Sequence, residues 1–332
     1  MQRGYSEVYI AGTGSYLPGI IITNEDIAGA VGLTPEDIVK MTGIRERRRA
    51  RPEEATSDLA THAAISALNA AGIKAGDIDL IILATTSPDM PSPATACFVQ
   101  SNIGARKAVA FDINASCSGF LYAFNIAEMF IRNDQADTAL VIASEVKSRF
   151  VNPKDKETAI LFGDGAGAVV LRRSDKNSYS GIIRTRLYAD GENWAWIHLP
   201  GGGSRNPASR KTITSDLHSM RMDGSKVYRS AIKTLTSLMI DMVKECGIQI
   251  EDIDNFIFHQ ANLRIINQVI SRLSIEKEKV PLSLTNYGNT SSASIPITLD
   301  QTVRDGSIKE GDIVAMNSFG GGLTWASSIM RW

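Results

Sequence analysis

Short apolar runs alternate with longer amphipathic segments along almost the whole chain. A short apolar run bounded by turn residues is typical of a buried strand, and apolar positions three and four residues apart are typical of a helix. The predicted strands are Val8–Gly12, Leu80–Ala84, Ala108–Ile113, Ala139–Ala143, Ala166–Leu171, Asn255–Phe258 and Ile313–Asn317. The predicted helices are Ser57–Ala71, Ser118–Arg132, Val227–Cys246 and Leu263–Leu273. This alternation indicates an α/β fold with mixed, mostly buried sheets.

The pattern also repeats within the chain. GIKAGDIDLIIL at 72–83 matches GIQIEDIDNFIF at 247–258, and the same offset aligns ALVIAS at 139–144 with VAMNSF at 314–319. Each copy predicts a helix, a glycine stop, a turn and a buried strand. We therefore expect two similar halves, 1–175 and 176–332, joined through the polar stretch Ser174–Ser180. An interface between such halves is a common place for a binding pocket.

Composition narrows the class of protein. The chain has 332 residues, of which 43% are hydrophobic and 21% charged, as in an ordinary globular protein. A formal charge of −1 does not indicate a nucleic-acid partner. Neither a leader sequence nor an apolar run of about 20 residues is evident, so we expect a cytoplasmic protein without a membrane segment. Three cysteines and four scattered histidines predict neither a disulfide framework nor a metal site.

Three residues stand where α/β folds place their chemistry. Cys117 lies between a predicted strand and an apolar helix, and N–H groups at a helix N-terminus lower the pKa of a thiol. This suits a nucleophile, although a small buried cysteine is the commoner case. His259 follows a buried strand and is as compatible with a structural role as with a catalytic one. Asn289, in NYGNTSSAS, could donate to an oxyanion or simply form a turn, which is the more frequent role.

Glycine-rich and arginine-rich segments complete the candidates. GDGAGAVVL at 163–171 lacks the lysine of a phosphate-binding loop and predicts a tight strand entry, and AGTGSYLPG at 11–19 predicts a turn. FGGG at 319–322 follows a buried strand and suits an oxyanion hole. The run Arg45–Arg51 predicts either a solvated face or a surface that docks an acidic or phosphorylated partner.

The ordered set of motifs TGIRER, LATTS, FGDGAGA, HQANLRI, GNTSSAS and FGGG resembles the β-ketoacyl-acyl carrier protein (ACP) synthase III family, within the thiolase superfamily of condensing enzymes. The resemblance spans nearly the whole chain. It implies a duplicated, layered αβαβα fold, a homodimer and no cofactor. It further implies that an acyl-CoA or acyl-ACP donor and malonyl-ACP react in the first step of fatty acid synthesis.

The resemblance also implies roles for the candidate residues. Cys117 accepts an acyl group from a thioester, and His259 and Asn289 hydrogen-bond the malonyl thioester carbonyl as it decarboxylates. The N–H groups of Cys117 and Gly321 then hold the oxyanion formed when the resulting enolate attacks the acyl-cysteine. Neutral donors stabilise the developing charge without protonating the carbanion. The substrate-binding positions that match the family are Phe162, Phe319, Ser92, Ser225, Asn262 and Arg264, the last near the pocket mouth where the carrier protein docks.

Departures from the family concern the acyl donor. Asp37 and Lys156 replace a tryptophan and an arginine that hold adenine in many members, and Met41 and Ser225 replace an arginine and an asparagine. We therefore expect an ACP-bound donor, or coenzyme A bound weakly or differently. Ser92 replaces an aromatic residue that closes the acyl pocket across the dimer, which predicts longer or branched acyl chains.

Two alternatives remain open on the sequence. The same catalytic triad would serve a secondary-metabolite enzyme, either a polyketide starter-unit acyltransferase or a condensing enzyme with an unusual acceptor. A catalytically silent protein that only binds acyl carriers is the other alternative. The presence of all three of Cys117, His259 and Asn289 argues against it.

Overall fold

The computed structural model describes residues 8–174 and 180–332. The strands are β1 Val8–Tyr16, β2 Ile20–Thr23, β3 Glu46–Arg49, β4 Leu80–Ala84, β5 Val109–Ile113, β6 Thr138–Glu145, β7 Gly165–Arg173, β8 Gly181–Ala189, β9 Ile197–His198, β10 Arg221–Met222, β11 Asn255–Phe258, β12 Ile313–Gly320 and β13 Thr324–Arg331. The helices are α1 Asn24–Val31, α2 Pro35–Thr42, α3 Thr56–Ala71, α4 Thr95–Ile103, α5 Gly119–Arg132, α6 Arg210–Thr214, α7 Gly224–Cys246, α8 Leu263–Leu273, α9 Leu284–Tyr287 and α10 Ser294–Arg304. Within the described residues, no helix combines the length and the apolar character needed to cross a bilayer.

Two large sheets follow the same plan. The first has the order β1-β7-β6-β4-β5, and the second has the order β8-β13-β12-β11. In each sheet, two antiparallel pairings (β1 with β7 and β7 with β6; β8 with β13 and β13 with β12) are followed by parallel pairing (β6 with β4 and β4 with β5; β12 with β11). The predicted α/β fold with two similar halves is therefore confirmed. Most of the predicted linker, at residues 175–179, lies outside the described residues, so the boundary between the halves stays a prediction.

Helices form three layers around these sheets. The middle layer consists of α5 and α10, whose buried side chains, such as Phe124 and Ile297, share one apolar cluster with inward residues of both sheets. Helices α3 and α4 cover the outer face of the first sheet, and α7 and α8 cover that of the second. Because α5 and α10 begin side by side between the sheets, the segments that precede them meet at the junction of the two halves.

The prediction of a turn at AGTGSYLPG is wrong for most of that segment. Strand β1 continues through it to Tyr16 and pairs with β7. The glycines serve close packing instead, because a Cβ at Gly12 would lie 2.5 Å from the backbone nitrogen of Ala71 in α3, and one at Gly14 would lie 2.3 Å from that of Ala67. At GDGAGAVVL the predicted strand entry agrees with β7, which begins at Gly165.

The arginine run is neither uniformly solvated nor uniformly available to a partner. Four of its residues form β3, which pairs with β2. Arg47 is buried, and its guanidinium donates to the carbonyls of Ile22 and Ile160 and to Asn24 Oδ1. Arg49 remains exposed. The sequence pattern could not show that one arginine of the run belongs to the core.

Candidate active site

Cys117 occupies a single 3₁₀ turn, Ser116–Ser118, between β5 and α5. The preceding Ser116 has a positive φ of 48°, an unusual conformation for a residue with a side chain, and it turns the chain sharply before the cysteine. Bonds to the second half fix this turn, since Thr324 Oγ1 donates to the Ala115 carbonyl and Ser118 Oγ donates to the Thr324 carbonyl. The predicted strand-to-helix position of Cys117 is therefore the observed one.

The surroundings of the Cys117 thiol differ from the sequence-based expectation. Burial raises its pKa, and the Ser291 hydroxyl, 3.5 Å from Sγ, and the charge of Lys147 offset only part of this effect. The helix N-terminus was expected to lower the pKa of the Cys117 thiol. Removal of the thiolate from water has the larger effect, and it raises the pKa. Burial therefore favours the neutral thiol over the thiolate at this position.

Two glycines, the last residue of β12 and the residue after it, lie directly against this turn. A Cβ at Gly320 would be 2.7 Å from the Cys117 backbone nitrogen, and one at Gly321 would be 3.0 Å from Ser116 Oγ. Side chains are therefore excluded where the FGGG segment approaches the cysteine. The backbone of the FGGG segment therefore packs against the 3₁₀ turn that carries Cys117.

His259 directly follows the last residue of β11. Its backbone N–H donates to the Asn317 carbonyl, and its Nδ1 lies 2.7 Å from Ser294 Oγ. Burial lowers its pKa to about 4, so the imidazole is neutral at pH 7. Ser294 Oγ also accepts the Gln260 N–H, and its own proton can be donated to Nδ1. We infer that His259 carries its proton on Nε2, where a ligand in the cavity can accept it.

The amide of Asn289 is also oriented by a hydrogen bond. Its Oδ1 accepts the Ser291 N–H at 2.8 Å, and its backbone exchanges hydrogen bonds with Leu161 and Gly163. Because Oδ1 is engaged, the Nδ2 donor is the group left for a substrate. Asn289 thus offers a second neutral donor.

The three candidate residues line one cavity of about 520 Å³. Of the other predicted site residues, those that line the same cavity are Gly321, Phe162, Phe319, Ser225, Asn262 and Arg264. Exposed cations stand among its lining residues, namely Lys156, Arg229 and Arg264, and the Arg264 guanidinium lies over the Tyr228 ring. The cavity therefore combines a largely apolar wall with a rim on which these three cations outnumber one exposed carboxylate, that of Glu157.

Two predicted positions lie elsewhere. Ser92 is exposed in the loop between β4 and α4 and does not line the cavity of its own chain. Asp37 caps α2, where its carboxylate accepts the Thr34 N–H and its pKa falls for that reason. Met41 and Lys156, in contrast, line the cavity. Asp37 therefore has a structural role as a helix cap. The sequence did not reveal this role.

A buried carboxylate beneath the site was missed by the sequence analysis. Glu145, at the end of β6, is fully buried and accepts hydrogen bonds from Thr86, Ser87 and Ser292. It thereby joins the first half to the segment that carries Asn289. The available signal was the polar ending of two apolar strands, in LATTS and ALVIASE, but nothing in the sequence showed that the endings meet.

Replacement of Glu145 by alanine is expected to lower the free energy of unfolding by about 3 kcal/mol, because it leaves several buried donors without an acceptor. Urea unfolding followed by circular dichroism measures this change. Glu53→Ala, at an exposed position, is the matched control and should be neutral. A loss of less than about 1 kcal/mol in Glu145→Ala would contradict the assigned role.

The family resemblance implies malonyl decarboxylation at this site, and Ser294→Ala is expected to reduce its turnover number about tenfold, since His259 then loses the hydroxyl at Nδ1 that favours a proton on Nε2. KM should change little, and Ser294→Thr should restore part of the rate because it restores the hydroxyl. Steady-state release of CO₂ from malonyl-ACP measures both constants. An unchanged turnover number in Ser294→Ala would show that the contact does not orient the imidazole.

Among the residues that the structure describes, no three histidine, cysteine or acidic side chains gather as metal ligands would. The three cysteines are free.

Comparison with known proteins agrees with this architecture. Family models for 3-oxoacyl-(acyl-carrier-protein) synthase III match residues 111–191, and those for its C-terminal part match residues 243–332. A β-ketoacyl-(acyl-carrier-protein) synthase III of Caldanaerobacter subterraneus subsp. tengcongensis is 48% identical, with 97% of each chain covered. The crystal structure of the synthase III from Aquifex aeolicus VF5 superposes with a TM-score of 0.90 at 41% identity, covering 98% of this chain and 100% of the other.

Together, the layered fold of two similar halves and these relatives define a thiolase-fold condensing enzyme that transfers acyl groups. Within that class, the chain belongs to the β-ketoacyl-ACP synthase III family. The resemblance seen in the sequence motifs is thereby confirmed. The prediction of a synthase III-type enzyme of fatty acid synthesis holds over the polyketide alternative.

Proposed function

We propose that this enzyme transfers an acyl group from a thioester to Cys117 and condenses it with malonyl-ACP to give β-ketoacyl-ACP and CO₂, the initiating step of fatty acid synthesis in the cytoplasm. The observation that carries the proposal is the convergence of the Cys117 thiol with two neutral donors, His259 and Asn289, on one cavity. A nucleophile beside neutral hydrogen-bond donors suits acyl transfer followed by enolate formation.

The first half-reaction forms a thioester on the enzyme. Sγ of Cys117 attacks the donor carbonyl, the thiol proton leaves with the departing carrier thiol, and the oxyanion accepts hydrogen bonds from the N–H groups of Cys117 and Gly321. The tetrahedral intermediate then collapses to acyl-Cys117. One oxyanion donor of this kind contributes about 3 kcal/mol to the transition state.

The second half-reaction makes the carbon–carbon bond. The malonyl thioester carbonyl accepts hydrogen bonds from His259 Nε2 and Asn289 Nδ2, and CO₂ leaves as negative charge moves onto that oxygen. The enolate carbon attacks acyl-Cys117, and the Cys117 thiolate departs and takes up a proton. Because burial keeps His259 neutral, the histidine stabilises the enolate without offering an acidic proton to its carbon.

The rim of the cavity supports carrier-protein substrates. Lys156, Arg229 and Arg264 are cations at the entrance, and phosphate groups and acidic protein surfaces are attracted to such a cluster. At the two positions where many family members hold adenine between a tryptophan and an arginine, this chain has Asp37 and Lys156, neither of which offers a planar surface for stacking. This supports an ACP-bound donor, or coenzyme A held weakly.

A homodimer is supported by the edge of the first sheet. In the described part of the chain β5 pairs only with β4, and Val109 at its start is 58% exposed. An open, apolar edge of this kind is suited to pairing with a second copy. Thr95 and Ala96, which begin α4, donate to Asp112 of β5, so the loop with Ser92 lies at the same edge. A second copy is what would bring Ser92 to a neighbouring acyl pocket.

The proposed function is tested by incubating the protein with acyl-ACP and malonyl-ACP and identifying the carrier-bound product by mass. The expected result is β-ketoacyl-ACP together with one equivalent of CO₂. Transfer of the acyl group to another acceptor, with malonyl-ACP unchanged, would contradict the condensation step. Light scattering on the same sample should give twice the mass of the chain.

A further inference from the structure

A lysine stands inside the cavity, close to the nucleophile. Lys147 follows β6 and is only 5% exposed, yet it lines the cavity together with Cys117 and Phe162. Its charge also acts on the thiol, because it lowers the pKa of Cys117 against the larger effect of burial. This lysine differs from the exposed cations of the rim, which stay in contact with water.

The contacts of the Lys147 ammonium leave it capacity for a ligand. Nζ donates to Thr86 Oγ1 at 2.6 Å and lies 5.8 Å from the centre of the Phe162 ring. Within the described residues, Thr86 is its one hydrogen-bond acceptor, whereas an ammonium group has three N–H donors. Thr86 in turn is bonded to the buried Glu145, so the ammonium is anchored at a fixed place.

Apart from the polar side chains of Ser291, His259 and Asn289, much of the cavity wall is apolar. Phe162, Ile197, Met220 and Phe319 line the cavity with Lys147. An alkyl chain packed against this wall would satisfy the apolar residues but would cover unpaired N–H donors, which is costly. An acyl chain that carries an oxygen could satisfy both.

We propose that Lys147 is a specificity-determining residue that selects acyl donors bearing a hydrogen-bond-accepting oxygen a few carbons from the thioester carbonyl. The inference rests on the proposed function, since it concerns the group that Cys117 accepts. The oxygen belongs to a hydroxyl or to a carboxylate. This proposal concerns the chemical groups on the acyl chain. It is independent of the expectation, drawn from Ser92, that the acyl chain is longer or branched.

The test compares acylation of Cys117 by butyryl, 3-hydroxybutyryl and succinyl thioesters, all carried on ACP. We expect kcat/KM for at least one oxygen-bearing donor to exceed that for butyryl by about tenfold, as one hydrogen bond to a charged group provides. The 3-hydroxybutyryl and succinyl arms distinguish a neutral oxygen from a carboxylate. Intact-protein mass spectrometry follows the acyl-enzyme.

Variants separate selectivity from activation of the thiol. Lys147→Met is expected to abolish the preference and to favour butyryl, whereas Lys147→Arg, which keeps the charge and the donors, should retain part of it. Lys154→Met, at an exposed position outside the cavity, is the matched control and should behave as the wild type. If Lys147→Met lowered acylation by all three donors equally, Lys147 would act on the thiol and the proposal would be wrong.

The wild-type preference decides the question even if Lys147→Met does not fold. A wild-type preference for butyryl over both oxygen-bearing donors would overturn the role of Lys147 while leaving the condensing function intact. Absence of any acyl-enzyme with all three donors is a different result: it would contradict the proposed function, and the inference would fall with it.

Discussion

Cys117→Ala is expected to lower the rate of condensation by at least about 10⁴-fold, because it removes the thiol that carries the covalent acyl intermediate. Acylation of the protein should disappear entirely. Malonyl-ACP decarboxylation should persist, since the donors of His259 and Asn289 remain. Measurements of product formation and of CO₂ release on the same variant separate the two half-reactions.

The control for this variant is its stability. Alanine removes one sulfur atom from a site bounded by Gly320 and Ser291, so the thermal midpoint should stay close to that of the wild type. A Cys117→Ala protein that still makes β-ketoacyl-ACP would exclude a covalent mechanism. If the protein only bound acyl carriers, the Cys117→Ala variant would keep its binding function.

Asn289→Asp is expected to reduce malonyl decarboxylation by at least about 10³-fold. The aspartate can still accept the Ser291 N–H as Asn289 Oδ1 does, so the local fold should survive. It cannot donate to the thioester carbonyl, however, and it places a negative charge where the enolate charge develops. Acylation of Cys117 should continue at a rate much closer to that of the wild type.

A matched substitution nearby checks that the charge alone does not cause the loss. Asn286 is exposed in α9, three residues before Asn289, and Asn286→Asp adds the same charge outside the cavity. We expect it to retain wild-type decarboxylation. Equal losses in the two variants, or no loss in Asn289→Asp, would show that Asn289 does not act on the malonyl carbonyl.

Periodicity predicted the interior strands well because their residues are buried on both faces. Leu80–Ala84 and Asn255–Phe258 have the observed bounds. Strand β8 was not predicted, because arginines interrupt its apolar pattern; Arg184 and Arg186 pair with Glu245 of α7 at the outer edge of the second sheet. The contact between Gly12 and α3 depends on packing across the sheet, which a local pattern cannot show.

For the candidate site, the sequence identified residues at the ends of strands but not the groups that orient them. Cys117 and His259 stand next to such ends and carry recognisable chemistry. Ser294, in contrast, acts through a bond to His259, 35 residues away. Glu145 accepts from Ser292, 147 residues away. These partners come together only through the packing of α10 between the two sheets.

The most direct test of the account is intact-protein mass spectrometry of the wild type, first with acyl-ACP and then with malonyl-ACP. The account predicts a mass increase of one acyl group, located on Cys117 by peptide mapping. That mass should vanish on addition of malonyl-ACP as one equivalent of CO₂ is released. An adduct on another residue, or acyl-Cys117 that survives malonyl-ACP and discharges only to a different acceptor, would contradict it.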